Sequence, residues 1–210
     1  NARAVAEFAV GLILAETRNI ARTHAAMMEH VWLKDFPNGE DIPELEGRTV
    51  GIVGAGAIGQ LVMKFLTGMD ATCVFYDPYC RSSPWGTKVE DLADLVAASD
   101  VLSIHSRLSA DTHHLIDRDL LARMKPSAIL VNTARSGLVD EEALLDCLEA
   151  GRIMGAAIDT FDREPLPADS RWLTLRNVTI TSHLAGSTKD AFRKTPRMLS
   201  KRILTALEEG

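Results

Sequence analysis

The chain is poor in cysteine, has no excess of positive charge and lacks a long apolar run, and each shortage closes off a class of function. Its three cysteines, Cys73, Cys80 and Cys147, are an odd number without metal-ligand spacing. That leaves neither a disulfide framework nor a metal site, and reads as the reduced thiols of a cytoplasmic protein. Lys and Arg number 23 against 29 Asp and Glu, a net charge of -6, which speaks against a nucleic-acid surface. No apolar run approaches the ~20 residues of a membrane span, and no signal peptide is read at the start. No internal repeat or low-complexity tract is found. The first residue is Asn1 rather than Met, so the chain is expected to be an excised piece or processed product of something larger. What is left, 210 residues of which 46% are hydrophobic and 25% charged, suits a globular protein with one substantial core.

What the chain does have is a glycine-rich turn between two strand-like runs. Thr49–Val53 reads as a buried strand, Gly54-Ala55-Gly56-Ala57-Ile58-Gly59 as a turn into a helix, and Thr72–Tyr76 as a second strand ending in Asp77. A dinucleotide site needs these parts. Gly54 permits the tight turn, Gly56 keeps a Cβ out of the path of a pyrophosphate, and Gly59 lets the helix pack close to the strand. The helix N-terminus offers N–H groups and partial positive charge to the phosphates. Asp77 stands where a carboxylate accepts both hydroxyls of the adenosine ribose. The same carboxylate would repel a 2′-phosphate, so NAD is favoured over NADP. The bland alternative is a turn that only packs a helix on a sheet. Arg81 stays open between meeting a phosphate and being a solvated loop charge.

From Arg48 onward short β-rich runs alternate with helical ones. Strands are expected at Thr49–Val53, Thr72–Tyr76, Val101–His105, Ala128–Asn132, Gly155–Asp159 and Val178–Thr181. Helices are expected at Ala57–Met69, Glu90–Ser99, Arg118–Met124 and Asp140–Ala150. The strand runs are nearly all apolar, as in parallel strands covered on both faces. The fold class that follows is α/β, a doubly wound parallel sheet of Rossmann type in three α/β/α layers, with strand order 3-2-1-4-5-6. A long helix from about Arg3 to Val31 precedes it, then a linker from Trp32 to Gly47 with Pro37, Asn38-Gly39 and Pro43. Phe161–Asn177 reads mostly as loop. A final helix begins near Ser187, with Pro196 kinking it or resetting its start. Residues 1–47 thus read as a first helix and linker, 48–186 as the dinucleotide-binding domain and 187–210 as a final helix.

Ligands of an open parallel sheet bind beyond the carboxyl ends of its strands. Those ends carry Asp77, His105-Ser106-Arg107, Asn132-Thr133-Ala134-Arg135, Asp159 with the nearby Glu164, and Ser182-His183. Hydride exchange between an alcohol and NAD needs a proton donor and acceptor near neutrality, which an imidazole supplies. A neighbouring carboxylate orients that imidazole and favours its charged form. A guanidinium can grip a substrate carboxylate in two places and polarise the adjacent carbonyl. His183, Glu164 and Arg135 supply the three. Taken singly, each has a structural alternative: a strand-end histidine, a solvated loop acid, a helix-capping arginine.

Four ordered motifs make the chain resemble the D-isomer-specific 2-hydroxyacid dehydrogenase family over essentially its whole length. They are Gly54–Gly59 with Asp77, Asn132–Arg135, Gly155–Phe161 with Glu164-Pro165-Leu166-Pro167, and His183-Leu184-Ala185-Gly186-Ser187-Thr188. The resemblance implies that Arg135 holds the substrate carboxylate and that Glu164 pairs with the catalytic His183. It implies that Asp159 bonds the nicotinamide carboxamide and that Ala57 and Ile58 lie under the pyrophosphate. It places Ser106 near the adenosine side, and has Thr133, Ala134, Arg135 and Gly186 line the cofactor. By resemblance the chain is mainly the NAD-binding domain, with its first helix serving interdomain contact and a homodimer. Three positions depart from the family pattern. Arg107 stands for the proline of His-x-Pro, Ser182 for a proline before the histidine, and Ser136 for a glycine after the arginine. Arg107 is open between a solvated charge and a group that reaches an anion.

The function expected is NAD-dependent hydride transfer on a small 2-hydroxy or 2-oxo acid, with no nucleic acid or membrane as partner. Two alternatives stand beside it. One is an NAD(H)-sensing binding protein of the corepressor kind. The other is a cofactor-binding fragment without turnover. His24, His30, His113 and His114 form no metal-like pattern, and Trp32, Trp85 and Trp172 read as packing residues.

Overall fold

In the computed structural model, which describes residues 1–33 and 44–208, seven parallel strands form a single sheet. They are β1 Thr49–Val53, β2 Thr72–Tyr76, β3 Thr87–Lys88, β4 Val101–Ile104, β5 Ile129–Asn132, β6 Gly155–Ile158 and β7 Val178–Ile180, in the order β3-β2-β1-β4-β5-β6-β7. The helices are α1 Ala2–Thr17, α2 Ile20–Met28, α3 Ala57–Thr67, α4 Leu92–Ala98, α5 Arg118–Leu121, α6 Glu141–Glu149 and α7 Lys189–Glu208.

Strand alternation sends successive side chains to opposite faces, and both faces are covered. Val50, Ile52, Ile129, Val131 and Ala157 pack with Ala6, Ala9 and Ile13 of α1 and Val62, Met63 and Leu66 of α3. Val53, Leu102, Ile104, Leu130, Ala156 and Ile158 pack on the other face with Leu95, Leu121, Leu144 and Leu148. Double coverage is why the strands read as continuous apolar runs. On this second face aspartates start the helices. Asp91, Asp117 and Asp140 accept from Ala93 N–H, Leu120 N–H and Ala143 N–H at the first turns of α4, α5 and α6.

The register makes the rim level. Val53 pairs with Tyr76 and Ile104, Ile104 with Asn132, Asn132 with Ile158, and Ile158 with Ile180. The residues that follow these positions therefore emerge along one edge, with His105 and Asp159 one step beyond their strands rather than at their last positions.

Two expectations are corrected. The first concerns the long N-terminal helix, which is two helices with Asn19 between them in the left-handed region at φ 53°. Asn is one of the few side chains that tolerates this conformation. The bend brings Arg22 into an ion pair with the fully buried Glu16, whose other oxygen accepts from Thr179 Oγ1 at 2.8 Å. Burial pushes the Arg22 guanidinium down to about 10. The second concerns strand order. The expected third strand, β4, lies beside β1, because the unforeseen β3 takes the edge next to β2. Two polar residues carry no periodic signal, so β3 could not be read. The order 3-2-1-4-5-6 is recovered once β3 is counted, with β7 added outside.

Several bounds are shorter than expected, notably α5, and the linker expected at 32–47 falls mostly outside the described residues. Helix α7 runs through Pro196 instead of restarting there. It leaves Phe192, Leu199, Ile203, Leu204 and Leu207 exposed. Among the described residues no helix is long and apolar enough to cross a membrane.

Candidate active site

The glycines of the turn have distinct steric duties. Gly54 sits at φ +97°, and a Cβ there would lie 2.7 Å from Ser106 N and 2.8 Å from the His105 carbonyl carbon. The turn after β1 thus lies directly against the end of β4. A Cβ on Gly59 would lie 2.1 Å from the Gly54 carbonyl oxygen. On Gly56 it would meet no atom of the described residues within 4 Å, so that among them this backbone faces open space at the N-terminus of α3. A pyrophosphate has room there.

Asp77 lies where the sequence expects it and is more occupied than expected. Its Oδ2 accepts from Ala55 N–H at 2.8 Å, and its Oδ1 from Tyr79 N–H at 2.8 Å and Cys80 N–H at 3.0 Å. A carboxylate has about four lone-pair directions, so roughly one stays available to a ribose. Asp77 thereby braces the glycine turn through Ala55.

Arg135 is set by the end of β5. Asn132 Oδ1 accepts from Ala134 N–H at 3.0 Å, and its amide donates to the Arg135 carbonyl at 2.9 Å. This side chain folds the Thr133-Ala134-Arg135 turn. The Arg135 guanidinium is exposed and donates to the Ala134 carbonyl at 2.6 Å. A cavity of about 520 Å³ opens here, lined among others by Asn1, Ile58, His105, Arg107, Thr133 and Arg135. Two buried polar atoms of its lining, His105 Nδ1 and Thr133 Oγ1, have no partner among the described residues. Such orphans call for a polar ligand. With the open space over Gly56, they fit a bound dinucleotide. His105 Nε2 lies 2.9 Å from Ser103 Oγ, and burial pushes the imidazole down to about 4. It is neutral at pH 7 and is no second base of ordinary strength.

His183 and Glu164 meet at the other end of the rim, Nδ1 to Oε2 at 2.7 Å. Glu164 Oε1 accepts from Phe161 N–H at 2.9 Å. Desolvation pushes the Glu164 carboxyl up, but the His183 and Phe161 hydrogen bonds and the nearby charges of His183 and Arg135 outweigh it. The net direction is below the usual carboxylate range. An ionised carboxylate only accepts, so Nδ1 carries the proton. Nε2 is then the ring atom free to exchange one. The pair is 45% and 37% exposed, so a substrate can reach it.

The placement of His183 rests on Asp159. His183 sits at φ 57°, which costs a non-glycine residue about 1–2 kcal/mol. The fully buried Asp159 holds the loop on both sides of it, accepting from Thr181 Oγ1 at 2.6 Å, Leu184 N–H at 3.0 Å and Ala185 N–H at 2.9 Å. Most of its lone pairs therefore serve the histidine loop. Gly186 lies against the start of the chain, where a Cβ would come 2.5 Å from Asn1 Nδ2.

The residues marked in the sequence therefore fall into three neighbouring groups: Gly54, Gly56, Gly59 and Asp77; Ile58, Ser106, Thr133, Ala134 and Arg135 around the cavity; and Asp159, Glu164 and His183. Ala57 opens α3 between the first two. Ser106 lines the cavity with Arg135 while touching the glycine turn. Asn1, Val5 and Leu108 also line the cavity, and no local pattern in the sequence distinguishes them. Asn132 is legible as part of the strand-end motif, and the only signal for Thr181 is its polarity at the end of a strand run.

The profile of the family described as D-isomer specific 2-hydroxyacid dehydrogenase, NAD binding domain, matches residues 10–185. The chain is 39% identical over 210 residues to a D-3-phosphoglycerate dehydrogenase of Mycobacterium bovis, covering 99% of this chain and 39% of that protein. It is 38% identical over 210 residues to a hydroxypyruvate reductase of Thermotoga maritima, covering 99% of this chain and 67% of that one. Among solved structures, the NAD-complexed D-isomer specific 2-hydroxyacid dehydrogenase of Lactobacillus delbrueckii ssp. bulgaricus superposes with a TM-score of 0.87 at 30% identity. That match covers 100% of this chain and 67% of the other. The chain thus spans about two fifths of the mycobacterial relative and two thirds of the others.

Proposed function

The chain belongs to the D-isomer specific 2-hydroxyacid dehydrogenases, whose NAD-binding domain it matches, and from that premise we propose that it serves an NAD-dependent oxidoreductase acting on small 2-hydroxy and 2-oxo acids. The observation that carries this reading is the 2.7 Å contact between His183 Nδ1 and Glu164 Oε2 on the rim where the glycine turn and the cavity also open. The relatives named D-3-phosphoglycerate dehydrogenase and hydroxypyruvate reductase support it.

The nicotinamide, when bound, gives or accepts the hydride. The chain's own groups do the rest. Gly56 and the first N–H groups of α3 receive the pyrophosphate, with Ala57 and Ile58 beneath it. Asp77 takes a ribose hydroxyl and disfavours a 2′-phosphate, so NAD binds in preference to NADP. Thr133 Oγ1 and His105 Nδ1 provide polar atoms along the cavity, and Ser106, Ala134 and Gly186 shape it. Arg135 grips the substrate carboxylate and draws electron density from the neighbouring carbonyl. Glu164 keeps the proton of His183 on Nδ1, so that Nε2 gives a proton to the nascent alkoxide in reduction and takes one in oxidation. Asp159 acts through His183, by fixing its loop. A homodimer working in the cytoplasm completes the proposal.

The test is NADH consumption by the full-length protein against a panel of 2-oxo acids. Turnover with at least one acid, and none without, is expected. Tight NADH binding with no turnover on any acid would assign the chain to NAD(H) sensing instead.

A further inference from the structure

Arg107 is the one departure from the family pattern that lies on the cavity. It stands just past β4, and its residue lines the same 520 Å³ space as Arg135. Among the described residues no acidic side chain lines that space. The other ring at hand, His105, is neutral, so the side-chain positive charge among the described lining residues comes from two guanidinium groups. Concave sites lined by one sign of charge concentrate ions of the other. Many arginines here are committed elsewhere: Arg3 to Glu7, Arg22 to Glu16, Arg118 to Asp146 and Arg171 to Glu142, Asp146 and Glu149. Arg107 has no ion pair or side-chain hydrogen bond among the described residues. Its backbone, by contrast, is held. The Arg107 carbonyl accepts from Thr112 Oγ1 at 2.7 Å, and that hydroxyl accepts from Ser109 N–H at 2.8 Å. The loop presents an uncommitted cation from an anchored main chain.

From this we infer that Arg107 is a specificity-determining residue that selects 2-oxo and 2-hydroxy acids bearing a second anionic group, a carboxylate or phosphoryl, beyond the carboxylate held by Arg135. The inference rests on the oxidoreductase reading above for the position of the substrate. A singly charged acid fills one of the two cationic positions and leaves the other to water. A doubly charged acid fills both. A planar two-point grip suits either second group.

Two matched pairs test this in the full-length protein: oxaloacetate against pyruvate, and 3-phosphohydroxypyruvate against hydroxypyruvate. In the wild type, kcat/KM should favour one of the doubly charged acids over its partner. Arg107→Ala should lower that ratio by at least about tenfold, the scale of a lost charged hydrogen bond. Arg107→Lys should restore part of it. An unchanged ratio overturns the inference. So does a loss that falls on the Kd of NADH alone, which would give Arg107 to the cofactor phosphates. A binding arm separates this from the parent reading: D-malate and D-lactate are titrated into the protein–NADH complex by fluorescence. If no acid is reduced, the oxidoreductase reading fails. Arg107-dependent preference for malate would still uphold the second anion site, and equal binding in wild type and Arg107→Ala would remove it.

Discussion

The two ends of the rim are built differently. At the glycine turn, position follows from lack of space. Gly54 and Gly59 sit where any Cβ would strike backbone, and Asp77 accepts from Ala55 N–H of the turn while Tyr79 and Cys80 N–H hold it in its own loop. At the histidine end, position follows from polar bonds that hold a costly backbone. His183 is left-handed and half exposed, kept there by Asp159 from behind and Glu164 from the side. On the proposed function, the difference teaches how one sheet edge would serve two tasks. A dinucleotide needs a rigid, snug cradle. Proton exchange needs a group that solvent and substrate can reach, yet that points one way.

If that division holds, mutations at the two ends should fail in different ways. The largest effect is expected for His183→Ala in the full-length protein, with turnover down by about a hundredfold or more and NADH affinity little changed. A parallel loss of NADH affinity would blur the division. At the glycine turn, Gly59→Ala should destabilise by about 1–3 kcal/mol through overpacking, which lowers Tm by several degrees. Gly56→Ala should leave Tm nearly unaltered, because no atom of the described residues is in the way, while NADH affinity falls about tenfold. Calorimetry and a fluorescence titration on the same preparations check both variants. Equal melting losses would show that Gly56 is a packing glycine too.

Arg135 stands between the two ends. Arg135→Lys keeps the charge and loses the two-point grip, so KM for the 2-oxo acid should rise about tenfold. Arg135→Ala should lower kcat as well, since carbonyl polarisation goes with it. Wild-type kinetics with a lowered Tm would mark a structural arginine. Asp77→Ala should narrow the preference for NADH over NADPH, and Tm should also drop slightly because Ala55, Tyr79 and Cys80 lose an acceptor. The smallest effect concerns pH. Burial pushes the Asp100 carboxyl up, but its bonds to Lys125 and Thr49 N–H prevail and hold it low. Stability from a depressed carboxyl is present above its ordinary pKa and is lost as pH falls through the folded value. Asp100→Asn should therefore flatten the fall of Tm below about pH 4, the ordinary carboxylate range. An unaltered slope would remove Asp100 from that transition.

What could be read from the sequence follows the same line. Strands β1 and β2, the glycine turn and Asp77 were legible because covered parallel strands need apolar runs and a tight turn needs glycine. His183, Glu164 and Arg135 were legible as residue types at strand ends, and the contact between the first two brings them together. The break at Asn19 was not legible, since it goes with a buried ion pair whose carboxylate also binds Thr179, 163 residues away. Nor was β3, whose Thr87 and Lys88 gain a partner only because β2 is already in place. The bracing duties of Asp77 and Asp159 also escaped a linear reading, because both depend on which backbone N–H groups the folded loops bring near.

The most direct measurement follows the hydride itself. NADH deuterated at the transferred position is incubated with the full-length protein and a 2-oxo acid that it turns over, and the product is analysed by mass spectrometry and chiral separation. Deuterium at C2 of a D-2-hydroxy acid, formed in proportion to NADH consumed and lost in His183→Ala, is the expected result. NADH bound without deuterium in any product, or transfer undiminished in His183→Ala, would contradict the assignment of this rim as a hydride-transfer site.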